Sequence, residues 1–193
     1  MRGLAVVAAI AIVNLAGCGA PPSSSSDPAA SAVQIGGPFR LVDEEGQPVT
    51  QADLLGKPTV MFFGFTYCPE VCPTTLAELT TALKALGRDA DRLNVVFVSL
   101  DPERDTPAQL KTYLSSFDPR IRGLTGDQTA VDAMAKAYRV YHKRVPLEGG
   151  GYTVDHSSAV YLFDSKGRFV DPIGYGNPPE RTLAQLKKLV ARG

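Results

Sequence analysis

The most constraining feature of this chain is a junction: an apolar run gives way, through two cysteines four residues apart, to a helical pattern. Thr59 to Phe65 reads TVMFFGF, apolar except for Thr59 and Gly64. A run that apolar predicts a strand buried on both faces. Thr66-Tyr67-Cys68-Pro69-Glu70-Val71-Cys72-Pro73 follows, and then Leu76, Leu79, Leu83 and Leu86 recur at helical spacing. Those leucines make one apolar stripe, and Gly87 is a natural stop. Leu93 to Leu100 (LNVVFVSL) repeats the buried-strand pattern until Asp101-Pro102 breaks it. Two buried strands joined through a helix must form a right-handed parallel crossover.

The remaining segments fit around that unit. Pro38 to Asp43, ahead of the Glu45-Gly46 turn, predicts a short strand and hairpin. Thr106 can cap a helix with Pro107 at its first position, running to about Phe117. Arg120 to Leu124 is a candidate short strand, and Asp127 can cap a helix reaching about Val140. Ser158 to Phe163 and Arg168 to Ile173 predict antiparallel partners around the Asp164–Gly167 turn, and Pro178-Pro179 opens a last helix. The expected fold is α/β and thioredoxin-like: a central mixed sheet flanked by helices, with an N-terminal β-hairpin.

The N-terminus carries an address. Arg2 precedes the apolar stretch Gly3 to Val13, which is shorter than the ~20 residues a membrane-spanning helix needs. Leu15-Ala16-Gly17-Cys18 resembles a lipoprotein lipobox, in which the cysteine becomes the lipidated first residue. The segment after it is rich in Pro, Ser and Ala and has no large apolar residue until Val33, so it reads as a tether. The expected organisation is a leader over 1–17, a tether over 18–37 and a domain over 38–193. The protein would be exported and lipid-anchored at Cys18 to a bacterial membrane, with its domain on the extracytoplasmic side. Lys+Arg and Asp+Glu are both 20. That balance offers no basic surface of the kind nucleic acid requires.

With Cys18 lipidated, Cys68 and Cys72 are the remaining thiols. At the carboxyl end of a central strand and the start of a helix, backbone N–H groups favour thiolate. Spacing i, i+4 lets both sulfurs face one ion, or each other. Two soft thiolates suit monovalent copper and leave room for an imidazole. The chain has two histidines. His142, in Tyr141-His142-Lys143-Arg144, reads as solvated or as a helix cap. His156 is expected in a loop just before the penultimate strand, which a thioredoxin-like fold brings beside the helix start. It is the candidate third ligand, and Asp155 could orient it.

Four stretches carry a resemblance. Gly64 to Pro73 (GFTYCPEVCP), Ser99 to Thr106 (SLDPERDT), Ala137 to Tyr141 (AYRVY) and Val154 to Ser157 (VDHS) resemble, in order, the motifs of the Sco/SenC family. The resemblance extends over most of the domain from about Pro38. It implies one bound copper, Cu(I) or Cu(II), with Cys68, Cys72 and His156 as ligands. It also implies help in assembling the binuclear copper centre of cytochrome c oxidase, by delivering copper or by reducing the target's cysteines. The partner would be the copper-bearing subunit of that oxidase or another periplasmic copper protein. The anchor departs from the pattern, since many relatives use a transmembrane helix.

A thiol–disulfide oxidoreductase would use the same Cys68 and Cys72. Thioredoxin-type catalysts usually have two residues between their cysteines; here there are three, and His156 stands where they carry a proline. A peroxiredoxin-type peroxidase would need an arginine-activated single cysteine, a pattern not seen around Cys68. Asp101 to Asp105 reads first as a turn and helix cap. Glu70 reads as solvated, and Phe65 and Tyr67 as packing residues.

Overall fold

The central strands of this molecule are buried on both faces. The computed structural model describes residues 34–193. The leader, Cys18 and the tether up to residue 33 lie outside the described residues. Nine strands and four α-helices follow in chain order: β1 (Arg40–Asp43), β2 (Pro48–Thr50), β3 (Thr59–Gly64), α1 (Val71–Leu86), β4 (Asn94–Ser99), α2 (Pro107–Leu114), β5 (Ile121–Thr125), α3 (Gln128–Ala137), β6 (His142–Pro146), β7 (Tyr152–His156), β8 (Val160–Phe163), β9 (Phe169–Ile173) and α4 (Pro179–Val190). Among the described residues no helix is long and apolar enough to cross a membrane.

Seven strands form one sheet in the order β2-β1-β5-β4-β3-β8-β9, and β6 and β7 pair separately. The central β3, β4 and β5 are parallel. β8 is antiparallel to β3, and β1 to β5. This is the mixed sheet expected, with the N-terminal hairpin on one edge. Strand alternation sends Val60, Phe62, Val95 and Phe97 into one core, with Leu76, Leu79 and Leu83 of α1, Leu110 of α2 and Leu186 of α4. Met61, Phe63, Val96 and Val98 enter the other, with Val131 and Met134 of α3. Each fully buried leucine contributes roughly 1.5–3 kcal/mol, so the α1 stripe alone ties that helix firmly to the sheet.

Three expectations need correction. The third helix stops at Ala137, not near Val140: Arg139 takes a left-handed φ of 57° and turns the chain. His142 is not a helix cap but the partly exposed first residue of β6, and His156 is not in a loop but the last residue of β7. The two are register partners in the hairpin. Gly149, Gly150 and Gly151 all have positive φ at the hairpin tip, a run of backbone conformations that L side chains resist.

Candidate metal centre

The Cys68–Cys72 segment leaves the sheet at the carboxyl end of β3. Gly64 closes that strand, and its missing side chain matters. A Cβ there would lie 2.7 Å from Cys72 Sγ and 2.8 Å from Phe97. Glycine is what lets the sulfur sit over the strand end. The loop beyond is pinned by Asp105, a fully buried carboxylate. It accepts hydrogen bonds from the Thr66 amide (3.0 Å), the Thr66 hydroxyl (2.6 Å) and the Ser99 hydroxyl (2.6 Å). Burial still pushes its pKa up. Thr106 caps α2 by accepting from the Gln109 amide at 3.3 Å. Of the two capping candidates, Asp105 therefore serves the cysteine loop instead.

Cys72 is the second residue of α1 and fully buried; Cys68 is half-buried just outside it. The Cys72 amide points at Cys68 Sγ, 3.3 Å away. Pro73 falls in the first turn, where a missing N–H removes no helical bond. The two thiols are unequal. Hydrogen bonding from the Cys72 side chain holds the Cys68 pKa down at about 4 against the effect of burial, helped by His156 and by the Cys72 and Glu70 amides. Cys72 is pushed far upward by sharing its proton with Cys68, by burial and by the Cys68 charge. Cys68 is the thiolate of the pair and Cys72 keeps the proton.

His156 arrives from the other side. Its Nε2 lies 3.6 Å from Cys72 Sγ. Its Nδ1 is 2.8 Å from the Ser157 carbonyl oxygen. A carbonyl can only accept, so Nδ1 carries a proton and Nε2 is the nitrogen turned to the sulfurs, where its N–H can donate to the Cys68 thiolate or, once deprotonated, its lone pair can meet a metal. The edge-to-face rings of Phe65 (5.8 Å) and Phe62 (6.5 Å) hold the imidazole. Asp155 is exposed, because strand alternation turns it to the opposite side from His156. The expected orienting role belongs to the Ser157 carbonyl. His142 is spent elsewhere, with Nε2 2.9 Å from Asp132 Oδ1 on α3.

Cys68 Sγ, Cys72 Sγ and an imidazole nitrogen of His156 all lie within 4.8 Å of one another. Metal–sulfur and metal–nitrogen bonds of about 2.3 and 2.0 Å at a trigonal angle put two donors roughly 3.7 Å apart. The 3.6 Å between Cys72 Sγ and His156 Nε2 matches that span. Two sulfurs and one imidazole nitrogen make a soft, three-donor set able to hold one ion. Gly64, Arg104, Tyr152 and Ser157 were not singled out from sequence. Gly64 and Arg104 lie inside stretches flagged for other residues, and Tyr152 and Ser157 sit beside the histidine.

Comparison with known proteins places this geometry. The family model described as SCO1/SenC matches residues 27–191. The chain is 40% identical over 161 residues to "Protein SCO2, mitochondrial" of Saccharomyces cerevisiae, covering 82% of this chain and 54% of that one. It spans about half the length of the first curated relatives it matches. Among solved structures, Bradyrhizobium japonicum ScoI with copper bound superposes with TM-score 0.76 at 52% identity, covering 80% of this chain and 99% of that one. A SCO1/SenC family lipoprotein from Bacillus anthracis gives 0.69 at 26%, covering 81% and 95%. BsSco, described as having a disulfide switch and as a member of the Sco family of cytochrome c oxidase assembly proteins, gives 0.66 at 25%, covering 83% and 95%. A thioredoxin-like sheet, a cysteine pair at the start of its first helix, a facing histidine and a family match over most of the length have one common reading: the chain belongs to the SCO1/SenC family.

Proposed function

We propose that this protein is a copper chaperone that holds one copper ion through Cys68, Cys72 and His156 and serves the assembly of the copper centre of cytochrome c oxidase. The observation that carries the reading is the convergence of three donors within 4.8 Å. Copper, held as cargo, would meet a thiolate at Cys68, an imidazole lone pair at His156 and a thiol at Cys72 that must lose its proton. Binding therefore releases a proton, and affinity should rise with pH. The likeness to copper-bound ScoI supports copper as the metal. The words used of BsSco support the oxidase copper-bearing subunit, or another periplasmic copper protein, as partner.

The reading extends to location. Residues 1–17 are a leader, Cys18 carries lipid, and the segment to 37 tethers a domain over 38–193 on the extracytoplasmic side of a bacterial membrane. The lipobox-like Leu15-Ala16-Gly17-Cys18 supports this, as does the lipoprotein among the relatives. Metabolic labelling with a palmitate analogue tests it: label should be lost in Cys18→Ala.

One observation favours a second reading, the thiol–disulfide reductase. The half-buried, low-pKa Cys68 backed by a buried Cys72 is the polarity of an attacking and a resolving thiol. The Cys68 thiolate would attack a target disulfide and expel one target thiolate. Cys72 would then attack Cys68 Sγ, releasing the second target thiol and leaving a Cys68–Cys72 disulfide. Metal content after purification under reducing conditions, set beside disulfide-reductase turnover of copper-free protein, separates the two. One copper per chain with negligible turnover is expected; high turnover on general disulfides with no copper would favour the reductase.

A further inference from the structure

The hairpin that carries His156 shares no backbone ladder with the main sheet. An isolated two-stranded hairpin is marginal in water. Side-chain contacts must therefore set where His156 lies, and they concentrate on Tyr152, the first residue of β7. We propose that Arg104 is a positioning residue that locks this hairpin to the cysteine loop and so keeps His156 within reach of the two sulfurs. The proposal rests on the three-ligand reading above.

Arg104 touches both ligand carriers. Its guanidinium carbon lies 3.9 Å from the centroid of the Tyr152 ring, 4.8 Å from that of Tyr67 and 5.9 Å from that of Phe65. Tyr67 precedes Cys68, and Phe65 packs edge-on against His156. Nη1 donates to the Tyr152 carbonyl at 3.0 Å. Nε donates to Asp101, whose other carboxylate oxygen accepts the Tyr152 hydroxyl at 2.8 Å. Tyr152 is thus held at its ring, its hydroxyl and its carbonyl, and Arg144 also stacks on its ring, at 4.6 Å. Nη2 is buried without an oxygen partner. Such a donor is costly unless aromatic faces take it, which is the arrangement here. Four residues further along β7, roughly 13 Å at strand rise, the chain delivers His156. Buried Val154 sits midway, and the His142–Asp132 pair supports β6.

The test is a double-mutant cycle read by Cu(I) competition with a colorimetric chelator. Arg104→Gln should bind copper about 10–100-fold more weakly, the usual effect of removing an outer partner of a ligand. By charge alone, removing a cation from beside a copper site would tighten binding, so the sign discriminates. Cu(II)-loaded Arg104→Gln should keep its thiolate absorption and lose nitrogen hyperfine splitting in electron paramagnetic resonance. In the His156→Ala background the same change should add less than about threefold, because Arg104 acts through His156. Tyr67→Ala, an exposed and fold-safe change, should weaken binding a few-fold by removing one stacking ring.

Copper-free protein supplies a readout independent of the ligand assignment: amide exchange of Thr153 to His156 should speed about tenfold in Arg104→Gln. If Arg104→Gln fails to fold, Arg104→Lys, which keeps charge but loses the planar fork, should show the same losses in smaller measure. Wild-type affinity and exchange in the Arg104 variant, or an equal loss in the His156→Ala background, would overturn the proposal. A His156→Ala protein that binds copper normally would instead sink the three-ligand reading, leaving the exchange result to judge the brace alone.

Discussion

The site has two halves made in different ways. The cysteine half grows out of the parallel sheet: β3 and α1 are anchored by interleaved core residues, Gly64 opens space for the Cys72 sulfur, and buried Asp105 clamps the loop. The histidine half rides on β6–β7, a hairpin outside the main sheet, tied down by side chains at Tyr152, Val154 and His142. The contrast suggests a division of labour. A platform built into the main sheet fixes two sulfurs, while a hairpin held only by side-chain contacts carries the third donor. A carrier that must hold copper and then release it gains from having one ligand on the less anchored element, because local opening draws on low-stability segments.

Several measurements would break or sharpen that division. The largest effect is expected on the platform. Cys72→Ser removes one of three donors, and a third of a typical metal-site binding energy of roughly 10–16 kcal/mol is on the order of 10³-fold in affinity. Chelator competition should show it, while far-ultraviolet circular dichroism should show a retained fold. Gly64→Ala comes next. Its methyl group must displace Cys72 Sγ or Phe97, and overpacking of this kind costs about 1–3 kcal/mol. Urea unfolding should register that loss, together with weaker copper binding; an unaffected protein would mean the platform is not rigid.

Asp105→Ala should cost a similar or slightly smaller amount, about 1–3 kcal/mol, by leaving the half-buried Thr66 and buried Ser99 donors unpaired. Of similar size for each pH unit is the pH effect. Both sulfurs must be thiolates to bind copper. Cys68 already is one above pH 4, its pKa being about 4, whereas Cys72 is held protonated. Between pH 5 and 8 copper affinity should therefore climb by at least about one decade per pH unit. It should steepen below pH 4, where Cys68 also takes a proton. A flat profile would contradict the unequal pair. The smallest change is expected from His142→Ala, which loses a half-exposed contact with Asp132 and should shift affinity by no more than about threefold.

The two halves also differed in how well the sequence announced them. The platform was legible because strands buried on both faces are continuous apolar runs, and because Leu76, Leu79 and Leu83 mark one face of α1. Cys68 and Cys72 then followed from the junction. The arm was not legible. His142 to Pro146 (HKRVP) is exposed or half-exposed throughout, so it has neither the apolar run nor the clean alternation of a strand. Its hairpin became visible only with Gly149 to Gly151 at the turn. His156 was found by its place relative to the fold. Its orienting partner was misjudged because sequence adjacency favoured Asp155, whereas alternation along β7 turns that carboxylate away. Asp101 to Asp105 reads as a turn, and it is one. That the same turn grips the cysteine loop through Asp105 and the hairpin through Arg104 depends on contacts 39 and 48 residues apart, which no local pattern encodes.

An imidazole carried on a separate, side-chain-braced hairpin completes a two-sulfur platform around one copper in this reading. X-ray absorption at the copper edge, on reduced protein loaded with one equivalent of Cu(I), tests it most directly. The account predicts two sulfur neighbours and one nitrogen in the wild type, with the nitrogen lost in His156→Ala and both sulfurs kept. A wild-type spectrum without nitrogen, or one unchanged by His156→Ala, would contradict it.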